Sequence, residues 1–419
     1  MTGYLAPCWF HVTDIDVVRG EGCWVFTPDG TKYLDLTSGI AVTSTGHCHK
    51  DVVAAIQQQA TQFIHAQVNC YTHNLMQPLA DALESITPDG IDTFFYANSG
   101  AEATEGAVKL AKQATKRPNI IVFKDSFHGR THMTMAMTTS KTGYRAGYQP
   151  LPAGIFVAPF PKSIGNEQER EEDVDQCLAA LDHLLASQTA PSETAAIIIE
   201  PEQGEGGYVP APQRFIEGVY KRCKDNEILF VADEVQAGFG RTGKFFAMEH
   251  YGITPDVLIM AKGIASGFPF AAIGSKKVLM DKWPVGSHGS TYGGNPIGCA
   301  AALATINVMN EPSFLVNVEE RGEQLRSGLR ELATKYPSIA DVRGFGLMVA
   351  AEFRDPNTGQ PDADTCAFVI QHCREHSNVL MMNAGTWGNN IRFMPPLVVN
   401  EEEISIVLDA VAKALAEKK

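Results

Sequence analysis

The chain has 419 residues, 44% hydrophobic and 20% charged, with 34 Lys and Arg against 48 Asp and Glu for a net charge of −14. At roughly 150 residues per domain this length holds about two to three domains, and the composition excludes disordered, fibrous and low-complexity classes. The acidic balance opposes a surface that tracks phosphate backbones or anionic lipid, so neither nucleic acid nor a membrane is expected as a partner.

The opening residues, Met-Thr-Gly-Tyr-Leu-Ala-Pro-Cys-Trp-Phe, have no basic stretch followed by an apolar one, and no run approaches about 18 apolar residues. Nine cysteines are scattered without C-x-x-C spacing. Free thiols in a cytoplasmic protein are the expectation. Residues 16–37 read as an antiparallel hairpin, with Pro28-Asp29-Gly30 as its turn.

Short apolar runs then predict strands at Thr93–Ala97, Ile120–Phe123, Ala196–Glu200, Ile228–Ala232, Val257–Met260 and Phe270–Gly274. Helical periods lie between several of them; from Ala103, apolar residues recur at Ala107, Leu110, Ala111 and Ala114. This alternation predicts an α/β fold with a mostly parallel sheet buried on both faces. Past residue 305 come helical patterns, a strand over Gly344–Glu352 and a last helix opened by Asn400-Glu401-Glu402-Glu403, whose carboxylates are expected to be solvated at the helix start. The expected plan is a large α/β domain over 48–304, with 1–47 and 305–419 joining as a smaller α+β domain.

Ligands of α/β sheets sit beyond the carboxyl ends of strands, so polar residues that end apolar runs are the first candidates. Four segments qualify. Asn98-Ser99-Gly100-Ala101 turns from a strand into a helix and offers free N–H groups to an anion, or is an ordinary N-cap. Asp233 ends the run Ile228–Ala232, where a carboxylate needs a cation or donor, or serves as a cap. Lys262 follows Val257–Ala261 with small residues behind it, as a desolvated nucleophilic amine or as a lysine that snorkels to water. Phe127-His128-Gly129-Arg130 follows another strand; Phe127 suits stacking on a flat ring and Arg130 a fork onto a carboxylate, or the two are core and surface.

An anion cradle, an aromatic face, a buried carboxylate and a buried amine at separate strand ends form the set that pyridoxal 5'-phosphate (PLP) requires. Its aldehyde needs a lysine, its ring nitrogen a carboxylate and its phosphate a cradle.

Here the sequence resembles the class III aminotransferases of fold type I, over nearly its whole length. The matching stretches include Thr45-Gly46-His47, Asn98–Glu105, Phe127–Arg130, Glu200-Pro201-Glu202-Gln203-Gly204-Glu205-Gly206-Gly207, Asp233-Glu234-Val235-Gln236, Gly240-Arg241-Thr242-Gly243, Ala261-Lys262 and Gly289–Pro296. The resemblance implies that Lys262 carries PLP and shuttles the substrate proton. It implies that Asp233 holds the ring nitrogen, Gln236 bonds the ring oxygen, and Phe127, with His128 beside it, lines the ring. Ser99, Gly100 and Ala101 would bind the phosphate, helped by Thr291 from the second subunit of a homodimer. No metal is expected.

For the substrate, the resemblance implies that Arg392 grips an α-carboxylate, that Glu205 neutralises Arg392 when the substrate has none, and that Arg130 receives a distal carboxylate. Ile40 stands where ornithine enzymes usually carry tyrosine. Acetylornithine enzymes share that isoleucine, but His132-Met133-Thr134 and Phe246-Ala247-Met248-Glu249 resemble the 4-aminobutyrate branch more closely, so the favoured reaction is transfer from 4-aminobutyrate to 2-oxoglutarate, giving succinate semialdehyde and glutamate. Acetylornithine or another ω-amino donor, or an epimerase on the same scaffold, are the alternatives. Glu202 departs from the family pattern, in which an aliphatic residue is commoner. Two decoys carry less: Gly238–Gly243 matches G-x-G-x-x-G but opens no clear helix, which opposes a nicotinamide dehydrogenase. His47-Cys48-His49 lacks a second cluster to complete a metal site.

Overall fold

The computed structural model describes residues 6–418. Seven strands make the central sheet: β1 (Thr93–Ala97), β2 (Asn119–Phe123), β3 (Ile155–Ala158), β4 (Thr194–Ile199), β5 (Leu229–Asp233), β6 (Val257–Met260) and β7 (Ala271–Ser275). Their order is β1-β7-β6-β5-β4-β2-β3. All are parallel except β7, which runs antiparallel to both β1 and β6. Every residue of β4 and of β6 is buried, as expected for strands covered on both faces.

The sequence reading omits β3, whose four residues Ile-Phe-Val-Ala edge the sheet and are half covered. It also places Glu200 inside a strand, whereas β4 ends at Ile199 and leaves Glu200 beyond it. Asp233 is the reverse case, the last residue of β5 itself.

The hairpin near the N-terminus forms as expected, with Trp24–Phe26 antiparallel to Lys32–Asp35. Val379–Leu380 adds to it in parallel, so the two ends of the chain share one sheet. A further antiparallel sheet runs Ile339–Arg343, Val349–Phe353, Asn390–Phe393 and Met382–Ala384.

The expected strand over Gly344–Glu352 is corrected here. The chain turns between Arg343 and Val349, with Gly344 at φ +118° and Gly346 at φ +48° in the left-handed region that favours glycine. Helix α2 (Pro312–Lys335) crosses this turn so closely that a Cβ on Gly322 would meet Gly346 O at 1.9 Å.

A second correction concerns the last helix, α3 (Glu401–Glu417). Asn400 caps it, accepting from Glu403 N at 2.9 Å, and Glu403 reaches back to Asn400 N at 2.9 Å in a capping box. Glu403 is buried, however, because its other oxygen accepts from Trp24 Nε1 at 2.7 Å. The indole of the N-terminal hairpin thus draws one of the expected solvent carboxylates inward.

No helix among the described residues is long and apolar enough to cross a membrane. Gly322→Ala should destabilise the fold by about 1–3 kcal/mol, because the added methyl strikes backbone. A chemical-denaturation midpoint equal to that of the parent would contradict the close crossing.

Candidate active site

Five chain segments leave the same edge of the central sheet: β1 into Asn98-Ser99, β2 into Asp125–His128, β4 into Glu200, β5 at Asp233 and β6 into Ala261-Lys262. A parallel sheet covered on both faces can hold charge only at such ends, where loops bring donors and counter-charges.

Beyond β1, Ser99 is the N-cap that the sequence allowed. It caps the helix Gly100–Thr115, here α1, accepting from Glu102 N at 3.3 Å, and it stays exposed at the mouth of the site. Asn98 is held from both sides, its side-chain amide donating to Glu102 Oε2 at 2.8 Å and to Ser290 Oγ at 3.0 Å. The N–H groups of the first helical turn, including Gly100 and Ala101, face the positive end of the helix dipole. Gly100 permits a close approach, since a Cβ there would lie 2.9 Å from Val235 Cγ1, in the segment that follows Asp233.

Asp233 is 3% exposed and doubly bonded: Oδ2 meets His128 Nδ1 at 2.7 Å, and Oδ1 accepts from Val235 N at 3.1 Å. Burial alone would lower the His128 imidazole, but the bond and charge of Asp233, with Glu200 behind, raise it. His128 Nε2 is buried with no hydrogen-bond partner among the described residues. Glu200 accepts from Phe127 N and from Gly204 N, both at 3.0 Å. Its carboxyl is pushed up to about 7, chiefly by burial, with His128 opposing and the Asp233 charge adding to the shift.

Lys262 begins a short 3-10 turn after β6 in the left-handed region, at φ +49°. Its amine is pulled down to about 8 by burial; Glu205 opposes, Arg392 adds to the lowering, and Asp233 and Glu200 oppose. Gln236 is buried, its Oε1 accepting from Tyr208 OH at 2.7 Å. Gly204 has no room for a side chain, since a Cβ would come within 2.5 Å of Gln236 Nε2.

Glu205 and Arg392 form a buried ion pair, Nη1 to Oε1, at 7% and 2% exposure. Burial would raise the Glu205 carboxyl, but Arg392, then Lys262 and Lys141, hold it below its usual range. Arg392 Nε has no partner among the described residues. Behind the pair, the Glu205 loop is clamped by its backbone: Gly385 N donates to Glu205 O at 2.9 Å, Lys162 Nζ to Gly206 O at 2.9 Å and Arg343 Nη2 to Gly207 O at 2.8 Å.

Arg130 is exposed, with its guanidinium carbon 4.3 Å from the centroid of the Tyr144 ring and 5.9 Å from that of Phe127. Ile40 lies on a tight turn at φ +66°, a strained setting for a β-branched residue, and is 39% exposed. Ser38 anchors that turn through a 2.7 Å bond to Met394 O, two residues past Arg392. Thr291 stands exposed on the loop of Ser290. Glu202 turns elsewhere: Oε2 accepts from Phe345 N at 3.3 Å and Oε1 is unpartnered, and burial pushes its carboxyl well up.

The decoys dissolve in the same geometry. His47 Nε2 is taken by Asp35 Oδ2 at 2.8 Å, and Gly238–Gly243 is a loop that buries Arg241. Glu200, Tyr208 and Tyr144 were missed by the sequence reading. Glu200 carries the signal that flagged Asp233, a carboxylate ending an apolar run; the two tyrosines lie on irregular turns with no periodic signal.

The family model described as Aminotransferase class-III matches residues 7–415. The chain belongs to the class III aminotransferases. It is 39% identical to the 5-aminovalerate aminotransferase DavT of Pseudomonas putida, over 97% of this chain and 95% of that one. The 4-aminobutyrate aminotransferase GabT of Escherichia coli is 36% identical over 96% and 93% of the two chains. An acetylornithine aminotransferase of Caldanaerobacter subterraneus is 39% identical over 96% and 95%. Among solved structures, an amine transaminase from an uncultivated Pseudomonas species, in its PLP-bound form, superposes with a TM-score of 0.92 at 27% identity, covering 100% of this chain and 99% of that one. This class III aminotransferase thus has the fold type I architecture, and PLP is the cofactor of its family.

The lowered amine yields a pH prediction. Only the neutral amine attacks a carbonyl, so reductive alkylation of Lys262 by a simple aldehyde in the apo-protein should rise with a midpoint near pH about 8. Peptide mass spectrometry reads the modification, and a midpoint near the ordinary lysine value of about 10.4 would contradict the burial of this group.

Proposed function

We propose that this class III aminotransferase moves the amino group of an ω-amino acid, with 4-aminobutyrate favoured, to 2-oxoglutarate, giving succinate semialdehyde and glutamate. The observation that carries the reading is the buried ion pair of Glu205 with Arg392. Removing the buried carboxylate from the Arg392 guanidinium without a replacement is costly, so a substrate carboxylate can take the place that the protein's carboxylate leaves. With 4-aminobutyrate, which has no α-carboxylate, Glu205 stays on Arg392 and Arg130 takes the single carboxylate. With glutamate or 2-oxoglutarate, the substrate α-carboxylate replaces Glu205 on Arg392 and the distal one meets Arg130.

The donor set fits PLP. Supporting observations are the lowered amine of Lys262, the doubly bonded Asp233, the orphaned Nε2 of His128 and the close packing of Gly100 on Val235. When bound, PLP supplies the electron sink that stabilises negative charge on the substrate carbon. In this reading Lys262 supplies the amine that carries the cofactor and then moves the proton off the substrate carbon. Asp233, held in place by His128 Nδ1 and Val235 N, would hold the proton on the ring nitrogen. Gln236, oriented by Tyr208, bonds the ring oxygen, and Phe127 covers one ring face. Ser99, Gly100 and Ala101 hold the phosphate at the N-terminus of α1.

Thr291 reaches a phosphate in this reading from the second subunit of a homodimer. Support comes from the exposed Phe63, Ile64, Tyr71 and Tyr292, which lie on two segments packed together through His65 against Tyr292 and His73 against Gly294 O. The division into 1–47, 48–304 and 305–419 is supported by the pairing of Val379–Leu380 with Lys32–Asp35. A cytoplasmic setting accords with nine cysteines, none in a disulfide. N-acetylornithine is the second reading, favoured by the acetylornithine aminotransferase relative and by Arg392, which suits its α-carboxylate.

Two variants test the reading. Lys262→Ala should abolish transamination, and retained full activity would refute the central assignment. Arg392→Ala should reduce glutamate and 2-oxoglutarate turnover on the order of a hundredfold more than the 4-aminobutyrate half-reaction. Equal loss of both, in single-turnover rates, counts against the switch.

A further inference from the structure

Under the proposed reading, Glu205 must leave Arg392 whenever an α-carboxylate arrives, and this further step rests on that reading. A carboxylate at 7% exposure cannot swing into a dry pocket without a new donor, because an unpaired buried charge is costly. Its backbone is pinned by Gly385, Lys162 and Arg343 on the loop around it, so the carboxylate moves by side-chain rotation rather than by loop displacement. The donor must therefore already lie within reach.

The second oxygen of Glu205 points to one. Oε1 faces Arg392, while Oε2 lies 3.4 Å from Tyr144 OH, a long contact that a small rotation would shorten. Tyr144 ends a 3-10 turn, Thr142–Tyr144, and is half-buried. Its ring meets Phe127 edge-on at 5.3 Å between centroids and carries the Arg130 guanidinium on its face. The phenol thus touches the gate carboxylate at one end and the arginine for the distal carboxylate at its face. Burial, with the nearby Glu205 charge, raises the phenol, so the hydroxyl keeps its proton and remains a donor. Lys141, at the start of the same turn, adds a positive charge that favours the Glu205 carboxylate.

We propose that Tyr144 is a specificity-determining residue whose hydroxyl receives Glu205 when a substrate α-carboxylate occupies Arg392. Glu205 then has two stations, Arg392 for ω-amino donors and Tyr144 for α-amino acids. No covalent bond is made or broken, and the phenol proton stays on its oxygen throughout.

Tyr144→Phe in the holoenzyme removes the hydroxyl and keeps the ring that Phe127 and Arg130 pack against. The ratio of kcat/KM for glutamate to kcat/KM for 4-aminobutyrate should fall about tenfold, with most of the change in the KM for glutamate. Placing the change in a Glu205→Gln background should erase its effect on the ratio, because no charge then needs a second station. An unchanged ratio for Tyr144→Phe, or an effect that persists beside Glu205→Gln, overturns the proposal. Arg392→Ala, measured alongside, separates the two levels. If it alters the ratio and Tyr144→Phe does not, the second station is wrong and the switch stands. If neither alters it, the switch falls and takes the second station with it.

Discussion

Charge cannot remain inside a parallel sheet that is covered on both faces, and that constraint organises this molecule. β4 and β6 are buried along their whole length, so each charged group that the chain places next to them is driven to a strand end. Glu200, Asp233 and Lys262 all arrive at one edge for this reason. Once there, they set one another's protonation: Asp233 and Glu200 raise His128, while burial lowers Lys262 against the pull of the same carboxylates. A lowered lysine amine beside buried carboxylates follows from position, before any ligand is considered.

The second organising element is the other antiparallel sheet, which contributes Arg392 from Asn390–Phe393. Arg343, at the end of the edge strand Ile339–Arg343, ties this sheet to the Glu205 loop, since its guanidinium donates to Gly207 O, Tyr208 O and Asn390 Oδ1 at 2.8, 3.0 and 2.7 Å. One planar, five-donor group thereby sets the spacing between the loop with Glu205 and the strand with Arg392. In the proposed function, substrate choice depends on that spacing, because a single carboxylate must fit Arg392 whether it comes from the protein or from the ligand.

Much of this was legible in the sequence where it depends on local pattern. Six of the seven central strands appear within two residues of their observed bounds at either end, because continuous apolar runs of four to six residues mark buried strands. Residues that end those runs, Asp233 and Lys262, were legible for the same reason. β3 was passed over although Ile-Phe-Val-Ala is an apolar run as long as β6. The turn between Arg343 and Val349 was misread as strand because its apolar residues, Phe345, Leu347 and Met348, hid two glycines in left-handed geometry. Glu403 was misread as solvated because its partner, Trp24, is 379 residues away in sequence.

The sequence alone determined the α/β class, the order of the central strands along the chain, the family resemblance and the identity of the residues at the strand ends. Tertiary structure alone decided which of those residues meet. Glu205 and Arg392 are 187 residues apart, and His128 and Asp233 are 105 apart. Periodicity encodes which face of an element is buried; it carries no information on which irregular loops converge, because that depends on how separately formed sheets pack. The pairing of Glu205 with Arg392, the bond from His128 to Asp233 and the phenol of Tyr144 beside both arginine sites all belong to that second level.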